Sequence, residues 1–142
     1  MKEKEAAMEE KDYQEQLRQV NGGNPFMLHN GIRATFLDEK TAQVRAEVGP
    51  GSLNGMGGVH GGLMMAAAEI AAGLAARNDG RKYVTLDASF RFISGTRTAK
   101  AIKAEASITK RGGTICFTRA AVREEGTEKL LAEGEFTFYC LG

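Results

Sequence analysis

One run constrains everything else in this chain. It is Val59–Ala76, VHGGLMMAAAEIAAGLAA, in which Glu69 is the single carboxylate and there is no Lys or Arg. A helix this apolar on every side is stable only where something surrounds it. Lipid is a poor surrounding. The run is near the minimum length for a bilayer, but a carboxylate at its centre would cost several kcal/mol there, and no second such segment exists in the chain. The remaining surrounding is the protein's own interior.

The flanks supply strands to wrap it. In GIRATFLDEKTAQVRAEVGP, Ala42, Val44, Ala46 and Val48 alternate with polar residues, and Asp38-Glu39-Lys40 reads as the turn of a hairpin. After Asn78-Asp79-Gly80 everything reads as strand. YVTLDASFRFIS is rich in β-formers, and TAKAIKAEASITK places Ile102, Ala104, Ala106 and Ile108 on one side. TICFTRAAVRE follows a Gly112-Gly113 turn, and KLLAEGEFTFYCL places Leu130, Ala132, Phe136 and Phe138 on one face. Strands in a row joined by tight turns predict an antiparallel meander. The expected class is α+β, a sheet wrapped around one long helix. Ahead of this, residues 3–20 read as a polar helix with Tyr13, Leu17 and Val20 on one face, stopped by Asn21-Gly22-Gly23-Asn24-Pro25. It could be a packed flap or a mobile arm.

Composition narrows the function classes. The 142 residues, 42% hydrophobic and 26% charged, fit one domain over 1–142 with an N-terminal helical segment over 1–22. A net charge of +1 argues for neither nucleic acid nor membrane as a partner. Two cysteines, Cys116 and Cys140, and a charged N-terminus lacking an apolar stretch suggest a cytoplasmic setting. No phosphate-binding loop, dinucleotide fingerprint or His/Cys metal spacing is present, so no metal and no resident cofactor are expected. With only His29 and His60 available, a hydrolase triad is unfavourable.

The chemistry concentrates at the start and middle of the apolar run. Gly61 and Gly62 open the helix, where the first backbone N–H groups lack intrahelical partners. Without side chains in the way, a polarised oxygen could approach those donors, helped by the helix dipole, as in an oxyanion hole. Glu69, among alanines, would be poorly hydrated and therefore reactive. His60 and Glu69 are nine residues apart, about 13.5 Å of helix, on opposite faces. They cannot meet at one atom within one chain, so joint action requires two chains related by a two-fold. Each residue also has a plainer reading: the glycines a turn, His60 a helix cap, Glu69 a surface carboxylate.

The pattern N-x-x-G-x-V-H-G-G, Asn54 to Gly62, followed by a helix acid nine residues after the histidine, resembles the hotdog-fold acyl-CoA thioesterases. The likeness is to the phenylacetate-pathway (PaaI-like) and 4-hydroxybenzoyl-CoA types, and spans about Pro25 to Phe138. The resemblance implies hydrolysis of an aryl- or medium-chain acyl-CoA. In it, Glu69 is nucleophile or general base and the partner chain's Gly61 N–H polarises the thioester carbonyl. Asn54 and His60 match positions that orient the thioester or the attacking water, and Thr85 matches a water-holding hydroxyl. Gly62 falls in the substrate-binding trio, and coenzyme A enters only as part of the substrate. Its phosphates would need a basic rim, for which Arg77, Arg81, Lys82, Arg91, Arg97 and Lys100 are candidates, with Arg91 and Arg97 preferred. The resemblance further implies a homodimer, and dimers pairing into tetramers.

Two residues depart from the family pattern. Most phenylacetate-type members carry Asp where this chain has Glu69, and Glu-type relatives often carry Ser or Thr where this chain has Gly73. Alternatives within the same fold are a non-catalytic acyl-CoA-binding module, an acyl-carrier-protein dehydratase, or an oligomer with a vestigial site. The dehydratase is disfavoured because the proline-rich segment around its histidine is missing; the prolines here are Pro25 and Pro50.

Overall fold

The structure is a computed structural model that describes the backbone of residues 2–142 and the side chains from Asp12 onward. Among the described residues, six strands form one antiparallel sheet in the order β1-β2-β4-β5-β6-β3. The elements run α1 (Lys2–Gly23), α2 (Pro25–His29), β1 (Ile32–Leu37), β2 (Thr41–Glu47), α3 (Gly61–Ala76), β3 (Tyr83–Phe92), β4 (Ala101–Arg111), β5 (Ile115–Glu124) and β6 (Leu130–Cys140). The sheet curls around α3, giving the helix-in-sheet arrangement of a hotdog fold.

Alternation places the core as expected. Val44, Ala104, Val122, Ala132, Phe136 and Phe138 point at α3, which answers with Met64, Ala67, Ala68, Ala71, Leu74 and Ala75. The alanines let the sheet come close to the helix axis, and the apolar area removed from water contributes about 25 cal/mol per Å2.

The meander is corrected at one strand. β4, β5 and β6 do run as hairpin neighbours, but β3 pairs with β6 at the far edge, and β4 pairs with β2. The reason is the connection: the stretch 93–100 is a crossing loop rather than a tight turn, so β3 and β4 need not be neighbours.

The N-terminal helix also differs from expectation. α1 continues through Gly23, and Asn24 instead caps α2, its Oδ1 accepting the Met27 N–H at 3.1 Å. Pro25 disfavours a helical Asn24, which sets the break at that residue. Leu17 is buried, with Tyr13 and Val20 packed beside it. Asn21 covers the free edge of β1 by exchanging two hydrogen bonds with Ala34, at 2.8 and 2.9 Å.

α3 ends in a tight turn, Arg77–Asp79, closed by Gly80 at φ 83°. Arg111 holds this end: Nη1 donates to Ala76 O and the Tyr83 hydroxyl, both at 2.7 Å, and Nη2 to Asn78 Oδ1 at 2.7 Å. A guanidinium on the last carbonyls satisfies them and complements the negative end of the helix dipole. The Tyr83 hydroxyl in turn donates to Asp79 Oδ2 at 2.7 Å.

Among the described residues, no helix is long and apolar enough to cross a membrane.

Candidate active site

Glu69 projects from the middle of α3, but it is exposed rather than poorly hydrated. Its own sheet covers most of the helix and leaves one stripe open. Gly62, Met65 and Glu69 are exposed and Ala66 is half-buried, the i, i+3, i+4, i+7 spacing of one face. The expectation of a helix enclosed on all sides is therefore corrected. One chain alone leaves an apolar stripe, with Glu69 on it, in contact with water.

Thr85 reaches this stripe through an irregularity in β3. Thr85 lies opposite Phe138 and Ala88 opposite Phe136, with the register slipping between Thr85 and Asp87. Both phenylalanines are buried in the core. Thr85 and Ala88, three residues apart, thus face the helix together, which strict alternation forbids. The extra residue, Leu86, makes a β-bulge that re-aims Thr85. Its hydroxyl donates to Glu69 Oε1 at 3.2 Å.

Arg77 lies eight residues after Glu69 on the same helix ridge, a spacing already visible in the sequence. Burial depresses its guanidinium below the ordinary value, and the Glu69 charge partly restores it. Between them stands Gly73, where an added Cβ would lie 3.4 Å from Phe138 Cε1. The Phe138 ring therefore borders Gly73 on this ridge.

At the start of α3 the backbone donors divide clearly. His60 N–H bonds Ser52 O at 2.8 Å, and the N–H groups of Leu63 and Met64 bond His60 O at 3.0 and 3.3 Å. Gly62 N–H bonds His60 Nδ1 at 2.8 Å. That leaves Gly61 N–H without a partner among the described residues. The structural reading of His60 holds: its ring is the helix cap. Because Nδ1 accepts, the neutral ring carries its proton on Nε2, directed away from the cap.

Gly61 is glycine for a steric reason as well. A Cβ there would lie 2.9 Å from Phe92 Cε1. Asn54 organises the preceding loop, its Oδ1 accepting the Met56 and Gly58 N–H groups at 2.9 and 3.1 Å.

The structure thus brings Glu69 and Thr85 together at one place, and Asn54, His60, Gly61 and Gly62 at another. α3 is unbroken from Gly61 to Ala76. The eight residues from Gly61 to Glu69 therefore span about 12 Å. Of the preferred basic residues, Arg97 is exposed in the loop after β3. Arg91 lies on the opposite face of the sheet from Glu69, in a salt bridge with Glu133 at 2.8 Å. It lines a depression of about 860 Å3 together with Arg45, Lys103, Arg119 and Arg123. Neither Glu69, Thr85 nor Gly61 borders that depression. Arg81 is held by Asp79 at 2.9 Å. Among the described residues, no cluster of His, Cys, Asp and Glu could hold a metal ion.

Residues 56–131, more than half of the chain, match the sequence profile of the thioesterase superfamily. This stretch runs from the glycine-rich loop through α3 and β3–β5 to the start of β6.

The chain belongs to the thioesterase superfamily.

It is a thioester hydrolase. A comparison with curated proteins finds no match. Solved structures do match this thioesterase. A point mutant of the phenylacetic acid degradation protein PaaI from Thermus thermophilus is 27% identical, with a TM-score of 0.77, over 83% of this chain and 100% of that one. The E. coli PaaI protein from the phenylacetic acid degradation operon is 19% identical, with a TM-score of 0.86, over 92% and 94%. A hypothetical thioesterase from Streptococcus pneumoniae, solved with coenzyme A, is 20% identical, with a TM-score of 0.72, over 78% and 86%. The PaaI-like character expected from the Asn54–Gly62 pattern and Glu69 agrees with these likenesses.

Proposed function

We propose that this thioesterase hydrolyses an aryl- or medium-chain acyl-CoA at a site made by two copies of the chain. The observation that carries the reading is the continuity of α3 between Gly61 and Glu69. The unpaired donor and the carboxylate, both needed for acyl transfer, are held about 12 Å apart by a rigid rod. A two-fold that sets two such helices side by side brings the donor of one against the carboxylate of the other.

Two features support a second copy. β3 is an edge strand, and Val84, Leu86, Phe92 and Ile93 on and after it are 44–58% exposed. An open, apolar edge invites strand pairing, and pairing β3 with its twin would cover it. The open stripe on α3 would be covered by the same contact. Coenzyme A in the Streptococcus pneumoniae structure supports the thiol half of the substrate.

In this reading the partner's Gly61 N–H polarises the thioester carbonyl and stabilises the oxyanion. Glu69, oriented by Thr85, takes a proton from water as that water attacks, or attacks the carbonyl itself to give an acyl-Glu69 anhydride that water then hydrolyses to the free acid and the carboxylate. The C–S bond then breaks and the coenzyme A thiolate collects a proton. His60 Nε2–H and the Asn54 Nδ2 amide serve as further donors, with Gly62 giving the substrate room. Coenzyme A is the departing half of the substrate and no resident cofactor takes part. Arg97 serves its phosphates in preference to Arg91, which already holds Glu133. Dimers pair further into tetramers.

The test is thiol release across a series of aryl- and alkyl-CoA thioesters, with Glu69→Ala as the blank. Thiol release by the wild type that is equally fast in Glu69→Ala would refute the assignment. Single-turnover hydrolysis in 18O-water separates the two chemistries, because label enters the enzyme carboxylate only if Glu69 is the nucleophile.

A further inference from the structure

The active-site groups leave one covered carboxylate unexplained. Glu124, at the end of β5, is 6% exposed. It sits beneath two loops rather than deep among apolar side chains. The Thr96 hydroxyl donates to its Oε1, and the Thr127 hydroxyl donates to its Oε2 at 2.5 Å. A covered carboxylate is costly unless such partners satisfy it, and replacing it with an apolar residue is often harmless to stability. Its presence asks what those partners do.

Thr96 leads to the site. Its carbonyl accepts the Val59 N–H at 3.0 Å. A Cβ at Gly58 would lie 3.3 Å from the same carbonyl, so the two loops are in close contact. Val59 immediately precedes His60 and Gly61, whose N–H is the unpaired donor. Lys129 reinforces the clamp from the far side, its Nζ donating to Gly95 O at 2.9 Å. A chain of hydrogen bonds therefore runs from the end of β5, through the β3–β4 loop, to the residue that leads into α3.

We propose that Glu124 is a positioning residue that, through Thr96 and Val59, fixes where the Gly61 N–H points. The inference rests on Gly61 being the oxyanion donor. A donor must meet the oxygen in the transition state, and small misplacement is expensive there. Glu124 fixes the rotamer of Thr96, Thr96 fixes the height of Val59, and Val59 fixes the first turn of α3.

The test uses the full chain with Thr96→Val, Thr96→Ser and Glu124→Gln. The readouts are kcat and KM for an acyl-CoA substrate, and amide hydrogen exchange at Val59 and Leu63 compared with exchange in the core strands. In Thr96→Val we expect kcat to fall roughly ten- to a hundredfold. KM should hold to within about twofold, because the lost interaction belongs to the transition state. Exchange should accelerate at Val59 and Leu63, whose N–H groups are bonded to Thr96 O and His60 O, but not in β4 or β5. Thr96→Ser, which restores the hydroxyl, should recover most of the rate. Adding Glu124→Gln to Thr96→Val should cost little more, since both act along one path. Unchanged exchange at Val59 and Leu63 in a folded Thr96→Val protein overturns the inference and leaves the role of Gly61 untouched. Accelerated exchange with kcat unchanged overturns Gly61 as donor, and with it the catalytic meaning of the chain. A kcat loss that Thr96→Ser fails to restore also overturns it.

Discussion

The Thr85 hydroxyl donates to Glu69 Oε1 at 3.2 Å, joining the edge strand β3 to the middle of the central helix. The bond leaves Oε2 free to face water or a carbonyl, and it fixes the carboxylate's rotamer. Thr85→Ala should therefore lower kcat about tenfold, the worth of one hydrogen bond to a charged group, while Thr85→Ser stays near wild type. Steady-state kinetics on the pair decide the matter; equal rates for Ala and Ser would mean that the hydroxyl is idle.

Glu69 itself is exposed on an open stripe of α3. Surface positions of this sort change stability by less than about 0.5 kcal/mol when substituted. Glu69→Gln should accordingly keep the wild-type melting temperature yet lose roughly 10²–10⁴ in kcat. A variant that melts early, with activity scaled to its folded fraction, would point to a structural role instead.

Division of the site between two chains has a signature in mixtures. Glu69→Ala and Gly61→Val homodimers should each be inactive. Unfolded together and refolded at equal amounts, they should regain roughly a quarter of wild-type activity, because half the dimers are hybrids with one intact site each. A mixture as inactive as its components would place both groups in one chain's site.

Gly73 stands where the Phe138 ring is 3.4 Å from a would-be Cβ, an ordinary contact distance. Glycine inside a helix costs about 1 kcal/mol relative to alanine. Gly73→Ala should raise the unfolding free energy by up to that amount, seen as a higher denaturant midpoint. A lowered midpoint would mean that Phe138 cannot yield even slightly.

The cluster at the end of α3 makes stability depend on pH at both extremes. Burial raises the Asp79 carboxyl, but hydrogen bonds from the Tyr83 hydroxyl and from the Arg81 backbone and side chain, with the charge of Arg111, bring it below its ordinary value. A depressed carboxyl binds its proton more readily in the unfolded chain. Its contribution is thus full above the ordinary carboxyl range and lost as pH falls through the folded value. Burial, then the bond to Asp79, pushes the Tyr83 phenol from 10.0 up to about 12. Here the folded chain holds the proton more tightly, so the contribution is full below pH 10 and lost towards pH 12. Urea midpoints across pH should show a shallower acid limb in Asp79→Asn and a shallower alkaline limb in Tyr83→Phe. Curves parallel to wild type would refute the assignment.

Much of this was legible in the residues. The alternation of Val44, Ala104 and Phe136 gave the buried face, and the spacing between Gly61 and Glu69 separated donor from acid. What alternation cannot carry is order: it tells which side of β3 is apolar, not which strand lies beside it. It also misleads at Thr85, an odd number of residues before Phe90, because a bulge is a local change of phase with no composition of its own. A run of alanines reports apolarity and not enclosure, so Glu69 is exposed where the sequence predicts poor hydration. Thr96 in the β3–β4 loop and Glu124 at the end of β5, 28 residues apart, have no spacing that would announce them.

The bulge at Leu86 has a meaning for how such a chain can change over generations. Most substitutions in β3 alter one side chain at a time. Loss of the single codon for Leu86 would alter none of the neighbouring residues, yet it would turn Thr85 to the other side of the strand and part it from Glu69. At this point the gene is constrained by count as much as by letter, so insertions and deletions here are a route between active and silent descendants that point substitutions seldom travel.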